Sequence, residues 1–260
     1  LLGYFTDNEF RWGRDWRGKE TMLEMYLKLP EGSAGRQKAI EFLRERYGGE
    51  IAKLNSAWRI KARDFANVTP LVENDAFQSD VSAFLEQVAT HYFEVCTRAI
   101  RSAAPNHMTL GARFAGRVPD AAFRAAKSLD IVSVNIYEFD PRPLVRRVAE
   151  LTGRPVMIGE FAFRATDSGL PNTRGAGPKV ANQLARAKAY TEYVNWLMSV
   201  PEAVGYHWFE WVDEPKEGRF DGEDSNYGLV NIKDKPYEDF VNAVKATNDA
   251  AAEVHRRAAK

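Results

Sequence analysis

Apolar residues recur along this chain with two different periods, and the change from one to the other divides it. Between positions 21 and 105 only helical spacing is found. Ser33 or Gly35 opens a stripe of Ile40, Phe42, Leu43 and Tyr47 that stops at Gly48-Gly49, and a short helix follows at about 51–58. An irregular segment then runs through Pro70. Next, Phe77, Val81, Phe84, Leu85, Val88, Tyr92 and Val95 recur at steps of three and four, predicting one long helix that ends near Pro105.

Outside that stretch, short apolar runs alternate with helical stripes. Strands are predicted at 1–6, 107–113, 130–136, 155–160 and 202–209, with helices at 119–128, 143–151 and 180–200 and a last helix from Pro236 onward. A Gly- and Pro-containing loop covers 166–178, and a polar loop covers 213–226. Strands alternating with helices at this spacing predict an α/β fold whose strands lie parallel, joined by right-handed crossovers.

The run Pro155-Val156-Met157-Ile158-Gly159-Glu160 shows what such strands carry. Pro155 can only begin a strand, three apolar residues are too few for a helix, and Gly159 permits a close backbone approach just before an acid. For Glu160 alone, an ion pair with a neighbouring arginine is the more economical reading. The other strands, however, also end in polar or aromatic residues: Asn8 and Glu9, Arg113, Asn135 and Tyr137, then His207 and Trp208. In parallel α/β barrels the C-terminal rim of the strands is where side chains meet substrate, so the recurrence predicts one site.

Composition narrows the partners. A chain of 260 residues, 45% apolar, can bury one sizeable core, and 1–260 is expected to be a single domain. Its 36 basic and 36 acidic residues balance, which gives no support to a nucleic acid or an anionic membrane as partner. No apolar run approaches the roughly 20 residues that span a bilayer. The single cysteine, Cys96, excludes an internal disulfide, and His91, His107, His207 and His255 show no metal-ligand spacing, so neither metal nor cofactor is expected.

Two acids among amides and aromatics, without metal, suit cleavage of a glycosidic bond, one protonating the leaving oxygen while the other attacks the anomeric carbon or activates water. Trp12, Trp208 and Trp211 are candidate sugar platforms, although tryptophans more often pack in cores. Thr-Asp-Asn-Glu at 6–9 resembles the fourth-strand acid/base motif of clan A glycoside hydrolases, and Ile-Gly-Glu-Phe at 158–161 resembles their seventh-strand nucleophile motif. The ordered set also includes Arg-Tyr-Gly and Leu-Asn-Ser-Ala-Trp within 46–58, Leu-Gly-Ala-Arg-Phe-Ala at 110–115, and Val-Ser-Val-Asn-Ile-Tyr at 132–137. It closes with Gly-Tyr-His-Trp-Phe and Gly-Arg-Phe-Asp-Gly-Glu-Asp-Ser-Asn-Tyr-Gly-Leu-Val-Asn within 205–231. This set is most similar to family 50, the β-agarases, with family 42 β-galactosidases next, and it covers nearly the whole chain.

The resemblance implies a retaining β-glycosidase of the (β/α)8 TIM-barrel type, incomplete here, with about five strands corresponding to strands four to eight. It implies Glu9 as acid/base, Glu160 as nucleophile, and carboxyl groups roughly 5 to 5.5 Å apart. Asn8 would bond the sugar 2-hydroxyl, Tyr137 would donate to Glu160, and Trp208 would floor the attacked sugar. Asp221, Glu223 and Asn226 are expected on the sugar-binding rim, with a merely solvated loop as the equal alternative. Glu210 stands where the agarases lead one to expect an amide. The substrate would be an oligo- or polysaccharide with β-galactosidic linkages, and the setting secreted or periplasmic. The missing strands imply either association of two copies or an N-terminal segment that completes the barrel. They also leave open a second class of function, a sugar-binding or assembly protein without turnover.

Overall fold

A computed structural model describes residues 1–69 and 73–258, and Pro70, where the predicted irregular segment ends, lies outside them. The chain divides into two compact units. One comprises Leu1–Asn8, Met108–Ala115 and Leu129–Lys260; the other comprises Glu9–His107 and Gly116–Ser128.

The second unit is helical. It holds α1 (Met22–Leu27), α2 (Ala34–Arg46), α3 (Ile51–Trp58), α4 (Asp75–Ala103) and α5 (Asp120–Ala125), with a 3₁₀ turn at Phe65–Asn67. The helix α1 has no counterpart in the apolar periodicity and is defined by its cap. Glu24 N donates to Thr21 Oγ1 at 3.3 Å and Thr21 N donates to Glu24 Oε2 at 2.6 Å, a reciprocal capping box. Two left-handed glycines, Gly48 and Gly49, end α2, as their pairing predicts, and Gly49 N returns to Arg44 O at 2.8 Å. Leu23, Leu43, Leu54, Trp58, Phe77 and Phe84 form the core of this unit. Within that core Asp80, 1% exposed, accepts from Trp58 Nε1 at 2.7 Å and Tyr47 Oη at 2.6 Å and pairs with Arg46. One carboxylate on α4 thereby holds α2 and α3. The predicted helix at 119–128 is α5 followed by a separate 3₁₀ turn at Ala126–Ser128.

The first unit is α/β, and every ladder between its strands is parallel. β1 (Gly3–Phe5) pairs with β2 (Met108–Gly111), and β3 (Phe114–Ala115), β4 (Val132–Asn135), β5 (Val156–Glu160) and β8 (Ala203–Tyr206) pair in that order. β2 lies inside the strand predicted at 107–113, and β3 begins just beyond its end. The backbone leaves the ladder between them, where Gly111 (φ 82°) and Arg113 (φ 47°) are left-handed. Continuity survives the break, since Asp130 N and Ile131 N both donate to Thr109 O at 3.2 Å. The strands thus follow one another in chain order, as the five-strand expectation has it.

A second pair, β6 (Arg164–Ala165) with β7 (Lys179–Val180), brackets the 166–178 loop and was not predicted. Three helices accompany the sheet: α6 (Arg142–Thr152), α7 (Gln183–Met198) and α8 (Glu238–Ala258). All five residues of β5 are buried, the pattern of a parallel strand covered on both faces. Phe161, directly after it, stacks on Tyr193 of α7 with ring centroids 4.2 Å apart and planes 3° from parallel. A fully buried aromatic of this kind contributes roughly 1.5 to 3 kcal/mol.

Candidate active site

Glu160 is 8% exposed at the C-terminal end of β5, and both of its oxygens are held. Tyr137 Oη donates to Oε2 at 2.6 Å, and Arg113 Nη2 lies 2.9 Å from Oε1. The same Arg113 nitrogen donates to Gly159 O at 2.8 Å, so the guanidinium grips backbone and carboxylate of adjacent residues. The left-handed turn at Arg113 aims this side chain across β4, and its guanidinium lies 5.3 Å from the centroid of Phe5 on β1. Gly159 is required by this arrangement. A Cβ there would stand 2.5 Å from Asn135 Oδ1 and 2.9 Å from Arg113 Nε. The economical reading of Glu160, an ion pair with an arginine, is therefore what the structure contains, and the two contacts fix the direction of the carboxylate.

The end of β8 supplies the neighbouring groups. His207 N donates to Ile158 O at 3.0 Å, and the imidazole meets Phe5 edge-on at 6.3 Å. Burial, with the Arg113 charge adding, lowers the His207 pKa, so the ring is neutral at pH 7. Trp208 is pinned by its Nε1 donating to Tyr227 O at 2.9 Å and by Phe161 edge-on at 5.1 Å. Beneath it lies Arg186, fully buried, 5.2 Å from the Trp208 ring and 4.2 Å from Phe240. That guanidinium donates to Phe163 O at 2.8 Å and Gly228 O at 3.0 Å, and burial brings its pKa down to about 9, which still leaves it charged. No periodicity marks Arg186 as other than a solvated helix residue, which is why it escapes sequence reasoning.

The loop from 209 to 228 departs from expectation in two respects. Asn226 does not line a rim. It is fully buried, donating to Asp213 Oδ1 at 2.8 Å while its own Oδ1 accepts from Gln183 Nε2 at 2.9 Å and Ala165 N at 3.2 Å. A polar side chain with both ends engaged internally fastens the loop and has nothing left for a sugar. Asp221 lies at the surface and Glu223 is half-buried, and both engage Arg219, at 2.8 and 3.2 Å. Arg219 also lies 3.1 Å from Glu214 and 4.0 Å from Glu210. Sequence reasoning passed over Arg219, although a lone arginine flanked by Glu214, Glu217, Asp221 and Glu223 is a visible signal. Burial pushes the Glu214 pKa up to about 7 against the lowering effects of its Ser225 backbone bond and the Arg219 charge.

Trp12 is likewise removed from the candidate platforms, being 5% exposed and stacked on Phe93 at 5.5 Å. Asn8, at the end of the α/β unit, is exposed, and its backbone N–H bonds Asp7 Oδ1 at 2.9 Å. Glu9 belongs to the helical unit. Its backbone is left-handed at φ 56°, a conformation in which a non-glycine residue is strained, and its carbonyl accepts from Arg17.

Comparison with known proteins adds an independent line. Over 261 aligned residues the chain is 34% identical to Beta-agarase B of Vibrio sp. (strain JT0107), covering 95% of this chain and 27% of that protein. Beta-agarase A of the same strain is 33% identical over 269 residues, again 95% of this chain and 27% of the relative. The chain is homologous to beta-agarases. It spans about a quarter of their length. Its α/β fold resembles that of solved agarases: an exo-beta-agarase at TM-score 0.87 and 34% identity covers 98% of this chain and 36% of its own. AgWH50C, an agarase, gives 0.85 and 30% over 100% of this chain and 38% of its own, and PfGH50B gives 0.86 and 32% over 97% and 37%. No protein-family model matches the chain.

Proposed function

We propose that this chain is the catalytic portion of a retaining glycoside hydrolase acting on β-galactosidic linkages in agarose-like galactans. Glu160 is the nucleophile in this reading and Glu9 the acid/base. The parallel strands in chain order correspond to strands four to eight of a (β/α)8 barrel.

The observation that carries the proposal is the dressing of Glu160. An acid at the end of a buried strand, fixed by a tyrosine hydroxyl at 2.6 Å and a guanidinium at 2.9 Å, is oriented and partly desolvated. Those are the requirements of a group that attacks an anomeric carbon. In the first step the Glu160 oxygen would bond to that carbon as Glu9 gives its proton to the departing oxygen. In the second, Glu9 would take a proton from water as the water oxygen bonds to that carbon and its bond to Glu160 breaks, which releases the sugar with its configuration retained and the Glu160 carboxylate restored. Trp208 supports the attacked ring from below, and Asn8, Asn135 and His207 offer hydrogen bonds to its hydroxyls.

Chemical rescue tests the roles separately. With an activated aryl β-galactoside, Glu9→Ala in the presence of azide is expected to give the β-galactosyl azide, and Glu160→Ala the α-azide. Full activity in Glu160→Gln removes the proposal. Sugar binding without turnover is the second reading. It is favoured if wild type and Glu160→Gln bind agaro-oligosaccharides equally and neither cleaves them.

A further inference from the structure

Glu210 follows the strand-end aromatics directly, and its neighbours place it beside Glu160. Tyr137, which donates to Glu160, meets Phe209 edge-on at 6.3 Å. Phe209 N donates to Phe161 O at 3.0 Å, one residue past Glu160, and Glu210 N donates to Tyr227 O at 3.4 Å. The Glu210 side chain is 33% exposed, so it faces a space that a ligand can enter.

The charges around it do not balance. Arg113 neutralises Glu160 at 2.9 Å, whereas Glu210 has Arg219 at 4.0 Å, the limit of an ion pair. That guanidinium is already engaged, by Asp221 at 2.8 Å, Glu214 at 3.1 Å and Glu223 at 3.2 Å. Four carboxylates thus share one cation, and Glu210, the farthest, receives least of it. Burial, the largest influence, raises the Glu210 pKa. The Arg219 charge opposes this, and the Glu223, Glu160 and Asp213 charges reinforce it.

We infer that Glu210 is a specificity-determining residue that reserves the subsite beside Glu160 for uncharged galactan units and rejects units bearing sulfate or carboxylate groups. The inference rests on the reading of this chain as a β-galactan hydrolase. A neutral sugar offers hydroxyls, and a carboxylate short of donors accepts them in charge-assisted hydrogen bonds. An anionic substituent a few ångströms away meets an uncompensated like charge in a half-buried setting. At an effective dielectric near 20 that repulsion corresponds to roughly hundred- to thousand-fold in affinity. Discrimination would then come from a repulsive element as well as an attractive one.

The experiment compares kcat/KM for a neutral β-galactan oligosaccharide and for its counterpart carrying one sulfate ester on the attacked unit, in wild type and in Glu210→Gln. The preference for the neutral substrate is expected to fall at least ten-fold in the variant, and in wild type to weaken with added salt. A preference unchanged within two-fold overturns the inference. Calorimetric binding of both oligosaccharides to Glu160→Gln and to the Glu160→Gln, Glu210→Gln double variant reads the same discrimination without turnover. If wild type cleaves neither substrate, the hydrolase reading fails while the binding ratio still decides the role of Glu210. A ten-fold shift in that ratio supports the role; an unchanged ratio, or no binding of either oligosaccharide, overturns it.

Discussion

In the proposed role of Glu160, a carboxylate that attacks carbon must keep its charge and its direction, and the groups placed to do this are Arg113 and Tyr137. Tyr137→Phe removes a 2.6 Å bond to a charged acceptor, worth about 1.5 to 3 kcal/mol. Galactosidase kcat is therefore expected to fall roughly ten- to hundred-fold with little change in the unfolding midpoint, and unchanged kcat would contradict the role. Glu214 makes a pH-dependent prediction. Its pKa is raised from 4.5 to about 7 in the folded chain, so the folded state holds a proton that the unfolded state has lost between those values. The stability it contributes is complete below about pH 4.5 and is lost as the pH rises through about 7. Glu214→Gln is expected to stabilise the protein at pH 8, on the order of 2 kcal/mol, and hardly at all at pH 4.5, as read from urea midpoints. At this scale the sequence was partly legible. Glu160, Arg113, Asn135 and Tyr137 were identifiable because each follows or interrupts a short apolar run. Asn226 was misplaced because composition cannot tell a polar residue that fastens a loop from one that faces solvent.

Elements were legible in proportion to their apolar periodicity. The long helix α4 and the strands β4 and β5 stand out, the first by steps of three and four, β4 by alternating valines and β5 by a continuous apolar run. β3, β6 and β7 have two residues each, too few for any period to register, and they exist through partners distant in sequence. The six-residue α1 was missed for a different reason. Its signal was the Thr21-x-x-Glu24 capping box, which lies outside the hydrophobic pattern. In the helical unit, Asp80→Ala would leave Trp58 Nε1 and Tyr47 Oη without their acceptor and Arg46 without its counter-charge. A loss of about 3 kcal/mol is expected, seen as a lower urea midpoint at unchanged slope when the tryptophan emission is followed. A midpoint within error of wild type would show that α2 and α3 do not depend on this carboxylate.

The parallel sheet has β1 at one margin and β8 at the other, and both margins show apolar side chains to solvent. Tyr4 is 40% exposed and Val204 is 43% exposed. Among the described residues no further strand pairs with either margin, and parallel edges of this kind recruit further strands. The 260-residue chain is accordingly expected to elute from gel filtration above its 29.4 kDa mass, and Val204→Lys to shift it toward the monomer. A wild type that elutes as a monomer at micromolar concentration contradicts this. The order of the strands has a further consequence during synthesis. β4 finds β3 and β5 finds β4 within a few tens of residues, but the partner of Gly3–Phe5 begins only at Met108. At roughly 5 to 20 residues per second, the ribosome takes on the order of 5 to 20 s to reach this partner of Gly3–Phe5, long enough for the intervening helices to collapse before the two pair.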